Sequence, residues 1–240
     1  MNYYIITGSS KGLGKSLLDL LLKDESNVVY GLARTSSIEH KQYKHTNVDL
    51  SKMEEVLKFQ FPQILRADKI VLINNAANLG DVKHVGGIDN QKIIDAYNLN
   101  LITPVILANN FISEYSELKC EKIILNISSG AGRKPIDGWN VYCSTKAGLD
   151  MFSRVLKDEV TIDSSKIKVL SLAPGIIDTE MQSEVRRSEE MNFSNIKRFK
   201  EYVGSEYLVA PEIVAKKVLR FIDEDNLSKD VICSVRDLTE

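Results

Sequence analysis

The sequence predicts an α/β protein: a doubly wound, mostly parallel sheet of seven strands with helices on both faces. Three observations predict it. Short apolar runs rich in β-branched residues alternate with helix-like stretches from the first residues onward, and such alternation implies parallel pairing through helical crossovers. The runs are continuous rather than alternating, as in strands buried on both sides. A glycine-rich turn from Thr7 to Gly14 joins the first run to the first helical stretch. No linker, repeat or low-complexity tract divides the 240 residues, so a single domain is expected over 1–240.

The elements follow in order. YYIIT (3–7) is the first strand, and the amphipathic GKSLLDLLLKD (14–24) follows the glycines. NVVYGLA (27–33) and HTNVDL (45–50) are the second and third strands. Ser51 is expected to cap a helix running to Leu65, with Glu54 at capping-box spacing. KIVLIN (69–74) is the fourth strand, and a long helical pattern covers 89–117. KIILNIS (122–128) is the fifth strand, and the helix carrying Tyr142 and Lys146 runs to about Val160. KIKVLSLA (166–173) is the sixth strand, stopped by Pro174-Gly175. A last helix begins near Pro211, and DVICSV (230–235) is the seventh strand. The stretch 180–208 is the least regular, charged with scattered Met and aromatic residues. It follows a strand end, where open α/β sheets bind ligands, and reads either as a substrate lid or as a solvated surface helix with a few docking apolar residues.

Composition narrows the partners. A chain of 240 residues buries about three quarters of its unfolded surface, so its core needs neither disulfide nor metal. A net charge of −2 provides no basic field for nucleic acid or an anionic membrane. Cys120, Cys143 and Cys233 have no regular spacing, and His40, His45 and His84 fall in no motif, so no disulfide framework and no metal site is expected. No apolar run approaches the ~18 residues that span a bilayer. No basic leader precedes the first strand, and a cytoplasmic location is expected.

Tyr142 and Lys146 lie four residues apart, one helical turn, and so share a face. A free phenol has a pKa near ~10, and a neighbouring cation favours its phenolate and lowers that value. Ser129, at the end of the fifth strand, is placed to hold a substrate oxygen against the phenol. The set suggests a proton donor, its tuner and an oxygen clamp. At the other end of the sheet, the glycines of TGSSKGLG let backbone N–H groups and a helix N-terminus approach a phosphate. The second strand ends in Gly31-Leu32-Ala33-Arg34, with no acid to hold a ribose 2′-hydroxyl. Arg34, with Lys11 as a second charge, suits a 2′-phosphate, so NADP(H) is expected over NAD(H).

Together these residues resemble the short-chain dehydrogenase/reductase family. TGSSKGLG looks like its cofactor loop, and Asn74-Asn75-Ala76-Ala77 like its N-N-A-G motif with Ala77 in place of glycine. Asn100 in NLITP, Ser129, Tyr142 and Lys146 match its catalytic residues. Pro174-Gly175 with Ile177 and Thr179 matches the segment that holds the nicotinamide carboxamide. The resemblance covers about 3–181 and implies a Rossmann fold. GWxxYCSTKAGLDMF, PGIIDTEM and the later RFKE look like bacterial benzil reductases of the (S)-benzoin-forming type, within the sepiapterin-reductase-like group.

The resemblance implies NADPH-dependent reduction of a ketone, one carbonyl of a vicinal diketone, with Tyr142 as general acid and Lys146 as its tuner. Ser129 would hold the carbonyl oxygen, and Asn100 a water linked to Lys146. It places the cofactor against Ile6, Gly8, Ser10, Lys11, Gly12, Leu13, Gly14, Arg34, Asp49, Leu50, Asn75, Ala76, Ala77, Tyr142, Lys146, Pro174, Gly175, Ile177 and Thr179. Trp139 and Met181, with Ile136 and Phe193 behind them, are the candidate substrate contacts. The partner is then a small carbonyl compound, and the family suggests a homodimer through helices around 90–115 and 142–160. The alternatives are an alcohol dehydrogenase, or a 3-oxoacyl thioester reductase using Lys197, Arg198, Lys200, Arg186 and Arg187 as a basic patch. A dinucleotide-binding sensor without catalysis is the alternative of another class.

Overall fold

Ile5 and Ile6, adjacent in the first strand and both fully buried, point to opposite faces of the sheet and so define its two cores. The computed structural model describes residues 1–36, 38–163, 165–223 and 230–237. Along it run β1 (Asn2–Thr7), α1 (Gly12–Leu21), β2 (Asn27–Ala33), β3 (Tyr43–Asn47), α2 (Met53–Lys58), β4 (Lys69–Asn74), α3 (Asn90–Tyr97) and α4 (Thr103–Glu114). Then follow β5 (Glu121–Ile127), α5 (Asn140–Ile162), β6 (Ile167–Ala173), β7 (Ile176–Ile177), α6 (Glu180–Arg186), α7 (Ile196–Glu201), β8 (Leu208–Val209), α8 (Pro211–Asp223) and β9 (Ile232–Ser234).

Seven strands form one sheet in the order β3-β2-β1-β4-β5-β6-β9. Every neighbouring pair is parallel, so the expected mostly parallel sheet is wholly parallel. On one face, Ile6, Val71 and Leu125 pack against Leu17 and Leu18 of α1 and Val218 and Phe221 of α8. On the other, Ile5, Leu72 and Ile124 pack against Leu107 and Phe111 of α4 and Leu156 of α5. The chain is a single α/β domain with helices on both faces. Because the order reverses between β1 and β4, the crossovers diverge there and open a crevice at the strand C-termini.

Two expectations are corrected. The helix from Ser51 to Leu65 stops at Lys58. Ser51 makes no capping box: its N–H and hydroxyl both donate to Asp49 Oδ1, at 3.0 and 2.7 Å. Pro62 disfavours helix at Phe61, and the extended segment instead packs Phe61 edge-on against Phe111 and Tyr115, at 6.0 and 5.9 Å. The continuous helix over 89–117 is divided. Asp89 caps α3 through Lys92 N, a widened π-turn spans Asn98–Ile102, and α4 restarts at Thr103-Pro104. The stretch 180–208 carries α6 and α7 and docks through Val185, Phe193, Ile196 and Phe199, which are buried in a third cluster with Trp139 and Tyr142. The two-stranded pair β7–β8 at its base was not expected.

Candidate active site

A cleft of about 1240 Å³ lies along the C-terminal strand ends, from the glycine turn to the third aromatic cluster. At its first end, α1 approaches β1 closely: a Cβ on Gly14 would lie 2.1 Å from the Gly8 carbonyl oxygen. Asn75 Nδ2 secures that approach, donating to Thr7 O and Gly8 O at 2.9 and 3.2 Å. Thr7 Oγ1 in turn accepts from the N–H groups of Asn75 and Ala76. No side chain caps α1 at Lys11, so the first N–H groups of the helix are left for a ligand. A dinucleotide fits this cradle: a bare helix N-terminus, a wall that a methyl group would fill, and an exposed Arg34 on the rim.

Gly8, Ser10, Lys11, Gly12, Leu13, Arg34, Asp49, Leu50, Asn75, Ala76, Ala77, Pro174, Gly175, Ile177 and Thr179 all line this cleft. Ile6 does not. Its side chain is fully buried against α1 and α8, and its place among the cofactor contacts is withdrawn. Lys11, expected to add charge beside Arg34, forms an ion pair across the mouth with Glu180 of α6. Burial pushes the Asp49 carboxyl up, but hydrogen bonds from Ser51 and the Arg34 and Lys52 charges bring it below its ordinary value.

At the other end, Ser129 begins the single turn Gly130–Gly132 and accepts from Ala131 N at 3.1 Å. Across from it, α5 presents Tyr142 and Lys146, both buried and both lining the cleft. Lys146 Nζ donates to Ile127 O at 2.8 Å and lies 5.7 Å from the Tyr142 ring centroid. The expected lowering of the phenol is reversed: burial pushes Tyr142 up to about 12, and its interaction with the Ser129 hydroxyl offsets only part of that. The low-dielectric wall formed by the third cluster disfavours the phenolate. Burial also pushes the Lys146 ammonium down to about 8, opposed by Asp150.

That depression has a measurable consequence. An unfolded lysine keeps its proton to ~10.4, whereas the folded Lys146 releases it above about 8. Between those values the unfolded state binds more protons, so raising the pH favours folding. The stability of the wild type relative to Lys146→Met is expected to rise by about 3 kcal/mol across that window and to be flat below it. Urea unfolding at pH 7, 9 and 10 reads the difference, and parallel curves for the two proteins would refute the burial cost.

Asn100 sits in the π-turn, fully buried and off the cleft surface. Its amide accepts from Asn78 N at 2.9 Å and donates to Asn78 O at 2.8 Å, with Thr145 Oγ1 at 3.3 Å. Among the substrate candidates, Trp139, Met181 and Ile136 line the cleft. Phe193 does not: it is fully buried and stacked behind the Trp139 ring at 5.5 Å. Trp139 also meets the Tyr142 ring edge-on at 5.8 Å and Phe199 at 5.3 Å. Sequence reasoning missed Phe199 and Tyr202, which line the same end of the cleft as Arg198, and Asp137, whose carboxylate accepts from Ser194 N at 2.7 Å and ties the 180–208 segment down. It also missed the buried polar residues beneath α5. Asn126 and Ser171, each a lone polar residue in an apolar strand run, were the available signal.

Comparison with known proteins agrees with the geometry. The pattern defining the short chain dehydrogenase family matches residues 2–190. The chain is 35% identical over 231 residues to benzil reductase ((S)-benzoin forming) of Bacillus subtilis (strain 168), with 93% of this chain and 94% of that one covered. It is 28% identical over 247 residues to sepiapterin reductase of Xenopus tropicalis, covering 92% and 91%. The crystal structure of the KRED1-Pglu enzyme superposes with a TM-score of 0.80 at 26% identity, covering 97% of this chain and 100% of that one. The glycine turn, β1 to β6 and helix α5 of this chain all lie within the matched residues 2–190, and the chain belongs to the short-chain dehydrogenase/reductase family of oxidoreductases.

Proposed function

We propose that this chain is an NADPH-dependent carbonyl reductase that reduces one carbonyl of a vicinal diketone, in the manner of benzil to (S)-benzoin. One observation carries the reading: Ser129, Tyr142 and the Trp139 ring converge at one end of a cleft whose other end is a phosphate cradle. The similarity to benzil reductase supports the substrate class. A reduced nicotinamide supplies the hydride when bound. The uncapped N-terminus of α1 and Ser10 would hold its phosphates, Arg34 its 2′-phosphate, Asn75, Ala76 and Ala77 one side, and Ile177 and Thr179 its amide end.

Tyr142 gives the proton to the carbonyl oxygen as charge develops there. An alkoxide is far more basic than a phenolate, so the transfer runs downhill even from a phenol pushed up to about 12. The Ser129 hydroxyl donates to the same oxygen, an interaction of the oxyanion type. Lys146 sets charge beneath the ring, and Asn100 fixes the neighbouring wall through Asn78 while keeping an acceptor lone pair for a water. Trp139, Met181 and Ile136 form the apolar slot for the substrate, with Phe193 stiffening Trp139 from behind. Residues 180–208 act as the lid of this single domain. Exposed Ile102 at the end of the π-turn, with Met151 and Val155 on α5, supports a homodimer.

Two tests follow. Arg34→Glu is expected to weaken NADPH binding by about tenfold or more, the scale of a lost charged hydrogen bond, while NADH binding changes little. A fluorescence titration reads both, and an equal loss for the two cofactors would remove Arg34 from 2′-phosphate recognition. Oxidation of NADPH in the presence of benzil and 1-phenyl-1,2-propanedione, with chiral analysis of the product, tests the reaction. No turnover with tight NADPH binding would favour the sensor reading. The thioester alternative has less support, because only Arg198 of its basic patch lines the cleft and Lys197 is paired with Glu190 at 3.0 Å.

A further inference from the structure

Lys146 is 2% exposed, and an ammonium at that depth is costly without a counter-charge. Ile127 O supplies only a dipole, and Tyr142 is a neutral phenol. Asp150 is the only carboxylate buried among the described residues, at 4% exposure, and it stands one helical turn beyond Lys146 on the same face of α5. Other elements hold it in place. Ser171 Oγ on β6 donates to Asp150 Oδ1 at 2.6 Å, and Arg133 Nε lies 3.4 Å from Oδ2. Arg133 is itself anchored, donating through Nη2 to Cys233 O on β9 at 2.9 Å. The Gly130–Gly132 turn is pressed onto α5 so closely that a Cβ on Gly132 would lie 2.8 Å from the Lys146 carbonyl carbon. A buried carboxylate, hydrogen-bonded from a strand and a turn, is a fixed charge rather than a mobile one.

We propose that Asp150 is a positioning residue for Lys146: held by Ser171 and Arg133, its carboxylate is the buried counter-ion that keeps the lysine charged and directed at the Ile127 carbonyl beneath Tyr142. The charged and titratable groups facing the pair are Arg133 from the turn and Tyr142 from α5; β5, β6 and β9 present Ile127 O, Ser171 Oγ and Cys233 O. The inference rests on the reading of Lys146 as part of the active site. It extends the site through the sheet edge to β9, so that the C-terminal strand sets the electrostatics under the proton donor.

The test reads the lysine directly. In protein carrying 13C-lysine and no cofactor, the Lys146 Cε resonance, assigned by its loss in Lys146→Met, is followed against pH. The wild-type midpoint is expected at about 8. In Asp150→Asn the lost negative charge lowers it by about one pH unit, and the alkaline limb of turnover moves the same way. In Arg133→Gln the lost positive charge raises it. A role confined to tying α5 to β9 would lower thermal stability in both variants and leave the midpoint in place. An unchanged midpoint in Asp150→Asn, or in Arg133→Gln where Asp150→Asn does not fold, overturns the proposal. Full turnover in Lys146→Met would instead defeat the catalytic reading of Lys146 and leave the counter-ion assignment standing.

Discussion

Tyr142→Phe is expected to lower turnover by about a thousandfold or more while NADPH affinity stays nearly unchanged. The substitution removes one oxygen and keeps the ring, so the edge-on contact with Trp139 survives and the third cluster stays packed. The hydroxyl is buried and its ionised form is disfavoured there. Losing it should not lower thermal stability, because the remaining surroundings are largely apolar. The effect then isolates proton donation. The same reasoning fixes the shape of the pH profile. A donor pushed up to about 12 stays protonated throughout the working range, so an alkaline fall near pH 8 belongs to Lys146 and not to Tyr142. Single-turnover kinetics with a cofactor titration separate the outcomes. Turnover near the wild-type rate would remove Tyr142 as the acid. A matching loss of cofactor affinity would recast it as a binding residue.

The sheet was legible because strands buried on both faces show as continuous apolar runs, and KIVLIN and NVVYGLA match their strands at both ends. The misreadings share a physical origin in competition between local and distant partners. Ser51 satisfies a capping pattern, but Asp49, two residues back, takes both its N–H and its hydroxyl. The π-turn at Asn98–Ile102 adds one residue to a turn without disturbing the apolar pattern around it, so 89–117 read as one helix. β7 and β8 are two residues each and pair across 176–208, leaving no local signal at all. The positions of Ser129, Tyr142 and Lys146 at strand ends and on one helix face could be read from spacing. The direction of the Tyr142 shift could not, since it depends on Phe193 and Phe199, some 50 residues away, closing the wall around Trp139. Asp150, four residues beyond Lys146, had the same spacing as the pair it supports. Its burial became visible only once Ser171 and Arg133 were seen to enclose it.

Gly14→Ala is expected to abolish detectable cofactor binding and to destabilise the fold by about 2–3 kcal/mol, the scale of overpacking a rigid contact. Helix propensity predicts the opposite, since alanine in place of glycine inside a helix is worth about 1 kcal/mol of added stability. The structure decides between them. The added methyl would stand 2.1 Å from Gly8 O and 2.6 Å from Asn75 Nδ2, well inside contact distance. Neither neighbour can retreat easily. Gly8 N is bonded to Leu32 O at 2.8 Å, and Asn75 Nδ2 is held by Thr7 O. The helix cannot back away either, because Leu17, Leu18 and Leu21 are buried against the sheet and α8. The strain must therefore fall on the turn between Gly8 and Gly14, whose N–H groups form the phosphate cradle. A displacement of about 1 Å there misaims every donor at once, which is why a change of one methyl is expected to act on binding more than on folding. Urea unfolding and an NADPH titration on the same preparation give both quantities. Stability above the wild type with binding retained would show that propensity governs the site and that the close approach of α1 to β1 is not what holds the cofactor.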